Sequence, residues 1–468
     1  MNPQKNRQEK LLQLSFIIIA TMIAIWPALY NSFPLATPDS GAYVHNGIKL
    51  ALPYDRPVTY SIFILLTSWG ISLWPVIVIQ GLIFVLMLQN VCARFLPQKT
   101  SYSVVLGITA LVSFGTQAAW FTAQLMPDIF TGLLLLAVIL YFTEARNRKK
   151  KNRLWIVLIA GFMLMHYSNI LILIVLSLVL LLYFSLIKTH RYFTKIRNLL
   201  LTSICAYVMV SSVNFAVGRG FTLSPVSPVF LLSRMAENGV LDEYLAEKCP
   251  TKHYELCHFQ GHLGDRQWAF MWMGDYPHRT KGFMDPDVQR EYKSIIRGVL
   301  SSPKCLGIQA LSTVNATFRQ SAQLYVGDGL MSLEAESSTY RTIQDFLPHQ
   351  IKEFRTSLQA QAQLPTKVSN IIILISNSSI IIWFLFLLGN HEDKEQGWAF
   401  IDRQDWSSVF AVIILYLFVN AFITGAFSTV LARYQARVFW VLPFMCLLYC
   451  LSKIMMTKNN KHAAGMPL

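Results

Sequence analysis

Charge is scarce in this chain. Asp, Glu, Lys and Arg make up 14% of its 468 residues, where an ordinary soluble domain carries about 25%. That shortage, with 54% hydrophobic residues, excludes a typical water-soluble fold and points to a polytopic membrane protein. Internal repeats, heptad arrays and low-complexity tracts are also missing, so neither a solenoid nor a coiled coil is expected. Acidic residues are the scarcer sign, 25 against 40 basic ones, for a formal charge of +15. The excess does not indicate a nucleic-acid partner. The basic residues form short blocks beside apolar runs, as cytoplasmic loops facing anionic head groups do.

Cysteine is sparse too, at seven residues. Cys92, Cys205, Cys446 and Cys450 fall in or beside apolar runs and read as small core residues. Cys249, Cys257 and Cys305 stand in a long polar region. His253 lies between the first two, but no further ligand spacing supports zinc. A Cys249–Cys257 disulfide is expected if that region lies outside the cytoplasm.

What is abundant is apolar sequence. Leu11–Tyr30 fits a full span; a signal peptide would need a shorter core and a small-residue cleavage site. It reads as a retained first helix starting in the cytoplasm. A short apolar piece, Val58–Trp69, precedes Leu73–Val91. Val104–Phe121, Ile129–Phe142, Leu154–Ile187 and Leu199–Val217 follow, and Ser369–Leu388, Val409–Phe427 and Val438–Ile454 close the chain. As one helix, residues 154–187 would reach about 51 Å, too long for a hydrocarbon core of about 30 Å. Both flanks, 146–153 and 188–197, are basic orientation signals, so the stretch must cross an even number of times. A hairpin turning near 165–169 is expected, its turn sunk below the membrane surface and lining a cavity.

This predicts an all-α polytopic membrane protein of about ten transmembrane helices with both termini cytoplasmic. Residues 1–217 form an N-terminal membrane module, 218–366 an extracytoplasmic domain and 367–468 a C-terminal membrane module. The acidic loop 391–406 is placed in the cytoplasm, since acidic residues orient weakly. In the insert, "SPVSPVFLLSRM" reads as an amphipathic segment at the membrane interface. Trp268 and Trp272 read as domain core, with sugar stacking the alternative.

The chemistry-bearing residues collect on one side. Residues 31–57, 122–128, 166–169, 218–366 and 428–437 all fall on the outer face. They carry Asp39 and Tyr43, then Asp55 and Arg56, then Asp128, His166, Arg433, Tyr434 and Arg437, with Tyr60 just beyond, in the short apolar piece. A carboxylate held near an acceptor serves as a general base, and arginines at that depth suit phosphate oxygens. Each has a plainer alternative: helix caps for Asp39 and Asp128, a surface pair for Asp55 and Arg56, a turn residue for His166, interfacial anchors for Arg433 and Arg437.

In order and spacing these motifs resemble the polyprenyl-phosphate-sugar glycosyltransferases of the GT-C fold, the superfamily of the protein mannosyltransferases and the lipid A aminoarabinose transferase. "TPDSGAYV", "YDRPVTYSIFILL", "MPDIFTGLLLL" and "ARYQARVFWVLP" match that family's first outer loop, its Pro-Tyr helix, the start of its fourth span and its late Arg-Tyr motif. The match covers roughly residues 11–190 and, more loosely, 409–452. A single proline, Pro57, and Asp39-Ser40 in place of Asp-Glu depart from many members and make a protein acceptor less expected.

The resemblance implies an inverting GT-C enzyme of a bacterial plasma membrane, its site facing the periplasm. It implies Asp39 as base and Asp128 as a second catalytic carboxylate. Arg56, Arg433, Arg437 and Tyr434 are the positions for donor phosphate, and Tyr43, Asp55, Tyr60 and His166 for substrate. The expected partners are a polyprenyl-phosphate sugar, a glycan or glycolipid acceptor and membrane lipids; a divalent metal is left open as a cofactor. Two other classes remain: an O-antigen-type ligase or polymerase using a diphosphate-linked glycan, with Arg279, Lys281, Arg290 and Arg297 as its basic residues, and a transporter of lipid-linked substrate.

Overall fold

In a bilayer, backbone N–H and C=O groups must be satisfied within the chain, which favours helices. The computed structural model describes residues 3–97, 100–264, 266–389 and 403–463; most of the acidic loop 391–406 lies outside them. Among the described residues all regular structure is helical, and an isolated parallel bridge joins Leu35 to Gln124. Six helices among the described residues are long and apolar enough to cross a membrane: Trp74–Phe95, Tyr167–Leu186, Phe193–Ala216, Thr366–Gly389, Trp406–Phe427 and Ala432–Met455. The expected count of ten is not established: at the other four expected positions the helices are shorter than a full span. Leu11–Ala24, Tyr102–Gly115 and Ile129–Thr143 are short apolar helices, and Lys149–Leu164, the first leg of the hairpin, opens on a basic run.

The principal helices before the insert are α1 (Pro3–Ala24), α2 (Ser40–Ile48), α3 (Val58–Ser68), α4 (Trp74–Phe95), α5 (Tyr102–Gly115), α6 (Ile129–Thr143), α7 (Lys149–Leu164), α8 (Tyr167–Leu186) and α9 (Phe193–Ala216). Every residue of α6 is buried. A helix apolar on all sides belongs at the centre of a bundle, and α6 has that place. Its glycine, Gly132, lies flat against the indole of Trp440. The Lys195 ammonium donates to the Tyr141, Phe142 and Glu144 carbonyls at 2.8, 3.0 and 2.6 Å. It closes the C-terminus of α6, a structural role beyond the orientation signal read from its basic run.

The expected turn near 165–169 is present, with α7 ending at Leu164 and α8 starting at Tyr167. Asp128, just before α6, and Ser168, at the start of α8, both bond Arg437. Both helices therefore start at the same face, and α7 must run back between them. That face also carries the insert and is called the insert side below.

The insert divides in two. Its first part includes α10 (Ser227–Glu237), α11 (Gln267–Trp272), α12 (Pro286–Ser301) and α13 (Pro303–Ser321). It has its own core of Val229, Leu232, Met235, Leu241, Phe270 and Tyr292, and it contains the Cys249–Cys257 disulfide. Three expectations are corrected here. Residues of "SPVSPVFLLSRM" fill that core instead of lying on a membrane, because the apolar stripe of α10 packs against α11 and α12. Trp268 and Trp272 are 50% and 45% exposed; they share the outer face of α11 while Phe270 and Met271 turn inward. Cys205 is likewise exposed, not a core residue.

The second part is a strap. Val326, Leu330, Leu333, Ile343, Leu347 and Phe354 join the core of the membrane helices. Its helix α14 (Ser338–Phe346) lies across α2 so closely that a β-carbon on Gly41 would come 2.5 Å from the Thr339 α-carbon. The C-terminal module comprises α15 (Thr366–Gly389), α16 (Arg403–Phe427), α17 (Ala432–Phe439) and α18 (Val441–Ala463). Only 11% of the α15 span is buried, against 67% for 432–455, so α15 is peripheral and α17–α18 central.

A β-carbon at Gly132 would lie 2.6–2.7 Å from the rigid Trp440 indole. Overpacking of this kind costs about 1–3 kcal/mol. Gly132→Ala should lower the melting temperature of the detergent-solubilised protein, whereas Gly107→Ala, which meets open space, should not. Equal melting temperatures for the two variants would contradict the close packing of α6 on α17–α18.

Candidate functional site

The site begins with the Leu35–Gln124 bridge. The Leu35 N–H donates to the Ala123 carbonyl at 3.0 Å and the Leu125 N–H to the Leu35 carbonyl at 2.8 Å. This places the Asp39 loop beside the Asp128 loop. Asp39 precedes α2 and Asp128 precedes α6, but neither side chain makes a capping bond. The plain cap reading therefore fails for both, since each carboxylate is turned to an arginine.

Asp39 lies between two guanidinium groups. Arg56 Nη2 reaches its Oδ1 at 3.3 Å, and Nη1 reaches its backbone carbonyl at 3.1 Å. Arg433 directs Nη1 and Nη2 to Oδ2, both at 3.2 Å. Arg56 is itself gripped by Asp55, with Nη2 2.7 Å from Oδ2, and its guanidinium lies 4.9 Å from the centre of the Tyr43 ring. Tyr60 stands edge-on behind Tyr43, fully buried, its hydroxyl committed to Gln80 Oε1 at 2.7 Å. Gln80 in turn donates to the Thr122 and Gln124 carbonyls, both at 2.9 Å. Tyr60 thus supports Tyr43 from behind; it does not face the opening.

A second network lies deeper: its Arg437–Asp128 pair is enclosed by the bundle, while Ser168 and His166 are half-buried. Arg437, 0% exposed, donates from Nη1 to Asp128 Oδ1 at 2.9 Å. Its Nη2 reaches Ser168 Oγ at 3.1 Å, and Ser168 Oγ lies 2.8 Å from His166 Nδ1. Tyr434 joins the two networks, its ring centre 5.2 Å from the Arg433 guanidinium and 5.4 Å from that of Arg437. Beneath them a polar seam crosses four helices: Tyr416 Oη to the Thr131 carbonyl at 3.1 Å, Thr131 Oγ1 to Asn169 Oδ1 at 3.0 Å, Asn169 Nδ2 to the Phe162 carbonyl at 3.2 Å.

Three arginines and three aspartates make these pairs. Burial pushes the Asp39 pKa up, but Arg433 and then Arg56 outweigh it and hold the carboxyl below its ordinary 3.8. It is ionised and, while clamped, a weak base. The donor set does not fit a divalent cation, which needs several free oxygens: each of these three carboxylates already faces a guanidinium.

One carboxylate escaped the sequence reading. Asp328 stands between Gly327 and Gly329, both at positive φ, a conformation that glycine adopts without strain. Its Oδ2 accepts from the Arg433 backbone N–H at 3.3 Å. Among the described residues it pairs with no cation. Asn370 fixes the loop from both sides, bonding the Val326 N–H at 2.7 Å and carbonyl at 2.9 Å. A groove of about 480 Å³ elsewhere, lined by Phe384, Trp406, Phe410 and Tyr449 among others, contains none of these charges.

Removing one partner of a buried ion pair costs about 3–5 kcal/mol, whereas replacing both with apolar groups is often neutral. Arg437→Met should therefore lower thermal stability strongly, and Arg437→Met with Asp128→Leu should recover most of the loss; a fully additive double variant would refute the pairing. Because the folded Asp39 pKa is depressed, its contribution is complete above pH 3.8 and fades as pH falls through the lower folded value. Asp39→Asn should flatten that acid limb in melting temperature against pH. No protein-family model, no curated protein and no solved structure matches the chain.

Proposed function

We propose that the chain is an inverting glycosyltransferase that moves a sugar from polyprenyl phosphate to a hydroxyl of an envelope glycan or glycolipid, on the outer face of a bacterial plasma membrane. The observation that carries this reading is the double clamp on Asp39. Arg56 and Arg433, the latter 394 residues away in sequence, converge on one carboxylate that keeps 36% of its side chain open. A carboxylate and two guanidinium groups at an accessible position serve a reaction that deprotonates a hydroxyl and releases a phosphate. The motif order shared with the GT-C polyprenyl-phosphate-sugar transferases supports the same reading.

In the proposed step the acceptor oxygen attacks the anomeric carbon from the face opposite the phosphate. The new C–O bond forms as the sugar–phosphate C–O bond breaks. The hydroxyl proton goes to Asp39, and the bonding electrons leave on polyprenyl phosphate. The arginines stabilise the charge that develops there. Donor phosphate competes with Asp39 for the same guanidinium groups, so its arrival loosens the clamp and strengthens Asp39 as a base. Asp128 stays paired with Arg437 and supports the floor of the site. Asp328, reaching in from the strap, faces the acceptor.

The placement of the other basic residues weighs against a diphosphate-linked ligase. Lys281 pairs with Glu255 and Arg290 with Asp287 on exposed surface, and Arg279 and Arg297 are exposed as well. None of them joins the Asp39 network.

The test is sugar transfer in membranes supplied with polyprenyl-phosphate sugar. Asp39→Asn should reduce kcat by at least about 100-fold, in the range of general-base contributions, and Arg433→Ala should raise the donor KM. Transfer by the Asn variant near the wild-type rate sinks the base assignment. Use of a diphosphate-linked but not a monophosphate-linked donor selects the ligase class instead.

A further inference from the structure

His166 is the least explained member of the network. Its backbone is extended, with φ −146° and ψ 130°, and it occupies the position before α8. Its Nδ1 accepts from the Ser168 backbone N–H at 3.2 Å. A backbone N–H can only donate, so Nδ1 carries no proton and the ring proton sits on Nε2. The Ser168 hydroxyl agrees with this assignment. It accepts from Arg437 Nη2 at 3.1 Å, which leaves its own hydrogen for Nδ1 at 2.8 Å. Donation thus runs one way, from Arg437 to Ser168 to His166, and ends at an Nε2–H with no acceptor among the described residues.

Protonating the imidazole would set a second N–H at Nδ1 against two donors. Burial and then Arg437 push its pKa down, Asp128 pulls it up, and Arg433 and Asp39 act more weakly; the result is about 3. These are the charges that face the ring, from α17 and from the loops before α2 and α6. The ring is therefore neutral throughout the physiological range.

Two further donors lack an acceptor. Among the described residues, Arg433 and Arg437 each keep a buried Nε without a hydrogen-bond partner, although Arg437 is fully enclosed. Leaving a buried donor unmet costs about 1–3 kcal/mol. The His166 ring and, through its bond to Ser168, the Arg437 guanidinium stand at the N-terminus of α8, a 20-residue helix whose dipole favours negative charge there.

We propose that His166 is a neutral hydrogen-bond donor, fixed in its Nε2–H form by Ser168, to an anionic oxygen of the lipid monophosphate. This rests on the glycosyltransferase reading and gives His166 a stated role within it: it holds the phosphate without titrating. An imidazole kept neutral beside a helix N-terminus works as such a donor elsewhere in enzyme chemistry.

The experiment uses the purified full-length chain in detergent or nanodiscs, with polyprenyl phosphate itself as the probe and melting temperature read alongside. Asparagine places an acceptor where Nδ1 lies, so His166→Asn should keep the cap and the melting temperature. It should weaken polyprenyl phosphate binding about tenfold or more, because a hydrogen bond to an anion is lost. Glutamine places an N–H where Nε2 lies, so His166→Gln should lose the cap, melt lower and bind within a few-fold of wild type. Wild-type affinity should be level between pH 5 and 8. Normal binding by the Asn variant, binding that tracks melting temperature in both variants, or a loss of affinity as pH rises through 6–7 would each overturn the proposal. Failure of the wild type to bind polyprenyl phosphate overturns the glycosyltransferase reading as well, and so separates the two failures.

Discussion

A guanidinium enclosed by helices is the constraint on which this arrangement depends. Arg437 is 0% exposed and its partner carboxylate on Asp128 is 3% exposed. Neither charge is tolerable there alone, so the helices that bring them together cannot separate without a large penalty. Arg437 comes from α17, Asp128 from the start of α6 and Ser168 from the start of α8. The pair fixes where those three helices begin relative to one another, and the depth of the site follows. Trp440 adds a steric lock, its Nε1 bonding the Arg437 carbonyl at 2.9 Å while its ring lies on Gly132.

Above this sealed layer lies a second, open one. Arg433 is one helical turn before Arg437, so both project from the same side of α17. The first reaches Asp39 at the accessible level and the second reaches Asp128 below it. Tyr434, against both guanidinium groups, fills the space between the layers. The Arg437–Asp128 pair is buried, while Asp39 keeps 36% of its side chain open beside Arg433 and Arg56. A transporter would need ionisable groups distributed through the membrane. Here the polar groups deeper than Asp128, such as Thr131, Asn169 and Tyr416, are neutral and bonded to one another.

Much of this was legible in the sequence because apolar periodicity and charge placement are local signals. The turn at His166 followed from a stretch too long for one crossing with basic residues at both ends. The shared face of Asp39, Asp128 and Arg433 followed from the same topology. Other features depend on contacts between distant segments and left no local trace. Asp328 looked like an ordinary loop acid until Arg433 and Asn370 gave it a place. Tyr60 carried a promising hydroxyl until Gln80 claimed it. Trp268 and Trp272 were assigned to a core because large aromatics usually go there, yet α11 turns Phe270 and Met271 inward instead. The stripe of "SPVSPVFLLSRM" was real, but periodicity alone does not say whether it meets lipid or protein.

The division of the insert bears on how it is seated on the membrane helices. A segment that shares a core with the membrane helices cannot swing away cheaply, and the strap shares one. Gln359 bonds the Ala36 N–H at 3.0 Å and carbonyl at 2.5 Å, and its own N–H reaches Asn31. Thr339 accepts from Gly41 and donates to Thr37. These bonds fasten the strap to the very loop that carries Asp39. The first part of the insert is held differently, by Gln267 to Ser428 and Thr429, Arg234 to Gly425, Arg219 to Leu52 and Pro53, and Gln320 to Leu431, around a core of its own. That part is also packed on the membrane helices, with α13 lying along α16 so closely that a β-carbon on Gly425 would come 3.2 Å from the Ala316 backbone, while the strap keeps Asp328 beside the Asp39 loop. The carboxylate from the insert is in this sense part of the floor of the site and not of its cover.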